Sequence, residues 1–449
     1  MLSNRGPADR FVSPLTVVSG QTGQSRQRMG ALFGYSVCLP DRVRIPILLT
    51  SALVMCGAAT SGRPAIGPAA AGAGTLPLHG APSDYEPMHR GYVDGATGLF
   101  HQKDDDIVLA GTPRFVLQRT YRSGDPISRR FGVGATHNGE RYLRGDSDDL
   151  RWTELILEDS TRIRFERTSP GRGIANAMFE HRERTTEYSR ARLGWAGAFW
   201  GMWLQDGAIM IFKPCSPKAE GACSLTRMRD SADHWTYFRR DGDGILREIV
   251  AGAATIAFEY DDAGRIRRAR ASTGRFVEYA YDRGGRLVRV RTTEGDAHAY
   301  SYGSRGEMLT IEEPGWFIRN TYRDGRVVRQ DTESRAENGS VRRLRFTWEY
   351  ALRGDRVWMT EVERPDGSRT RYEFDQSGYH VAETLQDARG RSARIVLERD
   401  RASHGVQRLK LTCFGANARA SEHRLENRSV RDRTTELLQS CWKSAARWK

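Results

Sequence analysis

His101, followed by Asp104-Asp105-Asp106, puts an imidazole and three carboxylates close together, the donor types that hold a divalent cation. A run of three acids beside the start of a strand is also the ordinary make-up of a solvated turn, and this one is read as a turn. Asp241-Gly-Asp243-Gly carries two acids of a calcium loop but lacks the later ligands and the closing Glu, so it too is read as a turn. Nucleophile chemistry finds no footing. Gly303-Ser304-Arg-Gly306 falls one residue short of a GxSxG turn, and HExxH, the P-loop and GxGxxG are absent. No catalytic, cofactor-binding or metal-binding residue is predicted, and a non-enzymatic chain is expected.

Cys215 and Cys223 bracket PCSPKAEGAC, a Pro/Gly-rich loop behind the apolar run Ile209–Phe212. In an oxidising compartment this predicts a disulfide closing a hairpin loop, since neither a CxxC nor a nearby His pair favours zinc. Cys413 and Cys441 are a second candidate pair. Export is the expected context, because Ile45–Ala59 is a mostly apolar run behind Arg42 and Arg44 and is followed by small residues, as in a secretory signal. Its long n-region suggests a true start at Met29. Leu53-Val-Met-Cys56 departs from a lipoprotein box at Met55, which disfavours lipid anchoring.

The elements that must position these residues are strands. From Gly91 onward, short apolar segments alternate with Gly, Asp and Pro at strand-like distances. From residue 236 a phrase repeats: Tyr260-Asp261 precedes Gly264-Arg265, and Tyr281-Asp282 precedes Gly285-Arg286. Further copies carry Tyr302 with Gly306 and Tyr322 with Gly325, and looser ones follow at Tyr350 and Phe374. The second aromatics are spaced 21, 21, 20, 28 and 24 residues apart, a drift read as loop insertion in a solenoid-like array. Aromatics two apart, such as Tyr279 and Tyr281, share one strand face; Asp and Gly make the turn. Each copy is therefore a strand, a tight turn and a strand. One hairpin is marginal alone, so successive hairpins must add edge to edge.

Charge excludes one class of partner. The net +14 divides as +4 over 1–61, +1 over 62–235, +3 over 236–405 and +6 over 406–449, leaving the repeats nearly balanced. Nucleic-acid binding by the repeat region is not expected. The predicted organisation is a signal region (1–61), a linker (62–90), a β-rich leading module (91–235), a hairpin array (236–405) and a basic tail (406–449) with a C-terminal amphipathic helix lying on the sheet.

The phrase resembles the YDxxGRL repeat of the Rhs, or YD-repeat, proteins. The leading module is also similar to the one that opens those proteins: Thr97-Gly98-Leu-Phe, Asp106-Ile-Val-Leu-Ala-Gly111-Thr-Pro113 and Leu117-Gln-Arg119-Thr-Tyr121-Arg-Ser123. The resemblance covers about residues 91–400. It implies a β-shell that spirals around an interior, enclosing a toxin in many bacterial members and serving adhesion in animal ones. The Asp-Pro-rich autoproteolytic segment is missing. The fold expectation is all-β, a curved open sheet of hairpins forming a partial shell. The function expectation is an exported scaffold for protein interaction or encapsulation, a truncated or orphan toxin-delivery shell. Expected partners are a protein or a second copy of the chain, with toxin cargo or a surface glycan as alternatives. No cofactor and no integral membrane domain are expected, and the destination is secretion or the cell envelope. The rival readings are a toxin effector whose tail carries activity and a carbohydrate-binding surface protein.

Overall fold

The computed structural model describes residues 91–441, leaving out 146–148, 185, 216–221, 296, 415–419, 425–432, 434–435 and 440. The expected signal region and linker lie outside the described residues. The repeat phrase folds as its residue types dictate. In strand Phe276–Tyr281, Val277 and Tyr279 are buried while Ala280 is exposed, the period-two pattern of a sheet with one dry face. In the preceding copy, the turn after strand Ala254–Tyr260 is made by Asp261, whose Oδ1 accepts the amides of Ala263 (3.0 Å) and Arg265 (2.8 Å). Gly264 closes that turn at φ +76°, a left-handed conformation that a side chain resists. Just before each turn the strand bulges, between Glu259 and Tyr260, Ala280 and Tyr281, and Ser301 and Tyr302. A bulge re-aims the residue that follows it, and here that residue is always the second aromatic.

The wider spacing between Tyr322 and Tyr350 does not come from loop insertion. Strands Arg326–Arg335 and Val341–Arg353 are 10 and 13 residues long, against 6 in Phe276–Tyr281, so the hairpin itself lengthens.

The sheet is also not open. One small antiparallel sheet orders Gly91–Val93, Phe100–Leu109, Phe115–Arg122 and Ala135–His137. The large sheet is a closed barrel. It runs in chain order from Met178–Glu180 to Ala420–Arg424 and closes through Tyr142–Gly145, Trp152–Ile156 and Arg162–Arg167. Tyr142–Gly145 also pairs with Cys223–Arg229, Leu143 standing opposite Cys223. The expected boundary at 235/236 is crossed by continuous pairing, Arg227 with Tyr237 and Arg229 with Trp235. The strands between 142 and 229 were expected to belong to a separate module. Instead they supply the pairings that close the sheet, Leu143 with Cys223 and Phe179 with Arg167.

The C-terminal residues behave as expected where they are described. Arg433, Glu436–Gln439 and Cys441 are helical. Leu437 and Cys441 are buried against Ile395, Leu397, Leu409 and Leu411. Cys441 is disulfide-bonded to Cys413 on the strand Val406–Phe414, and Cys215 to Cys223 as predicted. Among the described residues no helix is long and apolar enough to cross a membrane.

Candidate functional site

The first aromatic of each early copy points at the small sheet. Phe238, Phe258, Tyr279 and Tyr300 are all buried and belong to one core with Phe115, Leu117, Phe131 and Leu109. Phe115 meets Phe238 edge-on at 5.9 Å, His137 stacks on Phe258 at 5.5 Å, and Phe131 packs on Tyr279 at 4.7 Å. Burying one such ring contributes about 1.5–3 kcal/mol, more than a neutral hydrogen bond at ~0.5–1.5 kcal/mol, so ring packing is a main term in how the small sheet seats inside the large one.

A buried ionic network then fixes the register. Asp104 and Asp106 lie two apart on Phe100–Leu109, where a bulge between Asp105 and Ile107 adjusts the ladder; both carboxylates reach Arg119 on the neighbouring strand. The Arg119 Nη2 is 2.9 Å from Asp104, and its Nε and Nη2 donate to Asp106 at 3.0 and 3.2 Å. Tyr279 donates to Asp106 at 2.8 Å, and Arg119 donates to the Tyr300 hydroxyl at 3.1 Å. Burial pushes the Asp106 carboxyl above its ordinary range, against the pull of Arg119. Burial would lower the Arg119 guanidinium, but Asp106, Tyr300 and Asp104 outweigh it and hold the pKa well above its usual value. Burial also raises both tyrosines well above theirs.

The acidic run is therefore no solvated turn. Only Asp105 is exposed, while Asp104 is 2% exposed and Asp106 3% at its side chain. His101 stands apart from it, stacked on Tyr92 at 4.8 Å. Asp241 makes the same turn as Asp261, accepting the amides of Asp243 and Ile245, so the expected turn there is a degenerate repeat copy.

The second aromatics tie each copy to the one before it. Tyr281, Tyr302 and Tyr322 donate to the carbonyls of Ile266 (2.6 Å), Leu287 (2.7 Å) and Met308 (3.0 Å), and Tyr260 donates to that of Leu246. The Arg of the phrase has two tasks. Arg265 donates from Nε to Asp261 at 2.8 Å while its guanidinium stacks 4.4 Å from the Tyr281 ring; Arg286 repeats both contacts with Asp282 and Tyr302. The aromatic step, the turn and the next hairpin are thus one linked unit. Contact between module and array is also direct. Val133 donates its amide to the Gly285 carbonyl at 3.0 Å, and a Cβ on Gly132 would collide with that same oxygen.

Sequence reasoning placed all these repeat residues in one array but missed Arg119 as its anchor. It weighed Asp104 as a cation donor beside His101 but missed its actual neighbours His298 and Glu313, which with it offer ligand atoms all within 4.8 Å of one another. The alternation of Asp104 with Asp106 at strand period was the available signal. A further unforeseen feature is an outward-facing aromatic group. Trp203 and Tyr237 are 39% and 40% exposed, and Trp235 stacks on Tyr237 under Arg227.

Two family models match the sequence. One, Domain of unknown function (DUF6531), covers residues 91–165, and the other, RHS Repeat, covers residues 260–297. No curated protein matches. Among solved structures, a crystal structure of TcdB2-TccC3-TEV shares 12% identity, spanning 73% of this chain and 20% of that one, at TM-score 0.29. A Photorhabdus luminescens Tc holotoxin pore with a mutated TccC3 shares 11%, spanning 74% and 25%, at TM-score 0.27. A porin-like protein from Bacteroides uniformis shares 9%, spanning 52% and 92%, at TM-score 0.18. This chain thus spans a quarter or less of the first two, and overlaps this loose carry no weight for function.

Proposed function

We propose that this chain, an Rhs-repeat protein, is an exported, non-enzymatic β-shell that acts as a scaffold for protein interaction. The observation that carries the reading is the seating of the small sheet on the inner aromatic face, locked by Arg119, Asp104, Asp106, Tyr279 and Tyr300. The chain fills at least this part of its interior with its own residues, which favours an outward-facing scaffold over one that encloses cargo there. The effector reading loses ground for a related reason. Leu437 and Cys441 of the tail are buried on the barrel and Cys441 is disulfide-linked, the arrangement of a latch. Expressing the chain in a bacterial host with and without its export signal, each with and without residues 406–449, tests this. Unimpaired growth is expected in all four cases; killing that requires 406–449 would overturn the scaffold reading in favour of the effector.

One observation supports a second reading. Trp203 lies over Gly201 and Gly194, glycines that leave room for its ring, and with Tyr237 it offers exposed aromatic surface of the kind that stacks on sugars. Binding of envelope polysaccharide that is lost in Trp203→Ala would establish it.

A further inference from the structure

We infer that Asp104, His298 and Glu313 form a binding site for one zinc-class divalent cation, pinning the small sheet to the closed one. The three side chains come from separate strands, Phe100–Leu109, Ala297–Tyr302 and Met308–Glu313, and one ligand atom from each falls within 4.8 Å of the others. His298 and Glu313 belong to paired strands, where Ala299 stands opposite Glu312, and His298 Nδ1 is 3.2 Å from Glu313 Oε1. Asp104 reaches the pair from the other sheet. Ligand atoms around a tetrahedral zinc stand ~3.3 Å apart, given bonds of ~2.0–2.1 Å, and the His298–Glu313 pair already stands at 3.2 Å.

Two independent observations point to a cation. First, Gln102 is 1% exposed and donates from Nε2 to Asp104 Oδ2 at 3.0 Å, yet its Oε1 has no hydrogen-bond partner. A buried amide oxygen beside a carboxylate is costly unless a positive group lies close by. Second, His298 Nδ1 is enclosed and makes no hydrogen bond, although it faces Glu313 Oε1 at 3.2 Å. A cation between these two atoms gives both the nitrogen lone pair and the carboxylate oxygen a partner. One imidazole with carboxylate oxygens, and no thiolate, suits zinc better than soft Cu(I) or the all-oxygen preference of calcium. The His298 ring lies parallel to Tyr300 (6.3 Å, 4°), and the Gln102 amide holds Asp104; both are supports of the type that orient metal ligands. Access is open as well, because Glu313 borders a surface cavity of about 530 Å³ flanked by Arg289, Arg291 and Glu312.

The test uses the tag-free exported chain, stripped with chelator, loaded with Zn²⁺ and desalted. One zinc per chain is expected by elemental analysis, together with a zinc-dependent rise in the unfolding midpoint. His298→Gln and Glu313→Gln, close in shape to the native residues, should each weaken zinc affinity at least tenfold, and His101→Gln should not. Co²⁺ loaded in place of zinc should give visible d–d bands that Glu313→Gln abolishes. Wild-type chain that retains no zinc and shows no midpoint shift would overturn the site, whether or not the variants fold. So would zinc retained undiminished by both variants.

Discussion

A single hydroxyl links each repeat to the last, and its worth can be measured. Tyr281→Phe removes the bond to the Ile266 carbonyl and the long 3.5 Å contact with that of Arg130 and should cost about 1 kcal/mol in urea denaturation, whereas Tyr281→Ala also empties the space under Arg265 and should cost ~3–5 kcal/mol. Equal losses in the two variants would show that the ring contributes nothing beyond its hydroxyl. Arg119→Met leaves Asp104 and Asp106 buried without their guanidinium, with an expected cost of ~3–5 kcal/mol by the same measurement. The repeat residues were legible because Tyr, Asp, Gly and Arg recur in fixed order and each has a local task. The targets of Tyr281 and Arg119 were not. They depend on which strands become neighbours, and nothing in the spacing of Arg119 names Tyr300, its hydrogen-bond partner from a repeat copy.

At the scale of elements, the hairpins and their turns were readable from period and turn chemistry, and the closure of the sheet was not. Leu143 and Cys223 meet across 80 residues of chain, through a pairing in which neither strand carries the repeat phrase. The tail helix was readable from its apolar spacing, but its fastening was not, since two cysteines 28 residues apart do not specify a partner. That fastening is testable. Cys441→Ser should release the latch, with trypsin removing a C-terminal fragment faster than from wild type and a stability loss of ~2–4 kcal/mol. Unchanged trypsin kinetics would mean that the packing of Leu437 alone holds the tail.

For the whole molecule, buried histidines set the response to acid. Burial lowers His101 to about 3, His137 to about 4 and His380 to about 4, whereas an unfolded histidine titrates near ~6.5. Between those values the unfolded chain binds more protons than the folded one, so stability falls as pH drops through the window from ~6.5 to 4, by up to ~1.4 kcal/mol per pH unit for each histidine. The urea midpoint should therefore decline from pH 7 to 5, and a flat profile would mean these histidines are not held neutral. Glu140 and Glu158 act lower down. Burial alone would raise both, yet Arg240 and Arg141 hold them below their ordinary range, so their contribution is lost only at still more acid pH. All of this rests on the small sheet sitting against the inner aromatic face of the closed one. A double-mutant cycle between Asp106→Asn and Tyr279→Phe, residues 173 apart in sequence and joined at 2.8 Å, measures that contact in solution. A coupling of at least ~1 kcal/mol is expected, and additivity within ~0.5 kcal/mol would contradict the seating of one sheet inside the other.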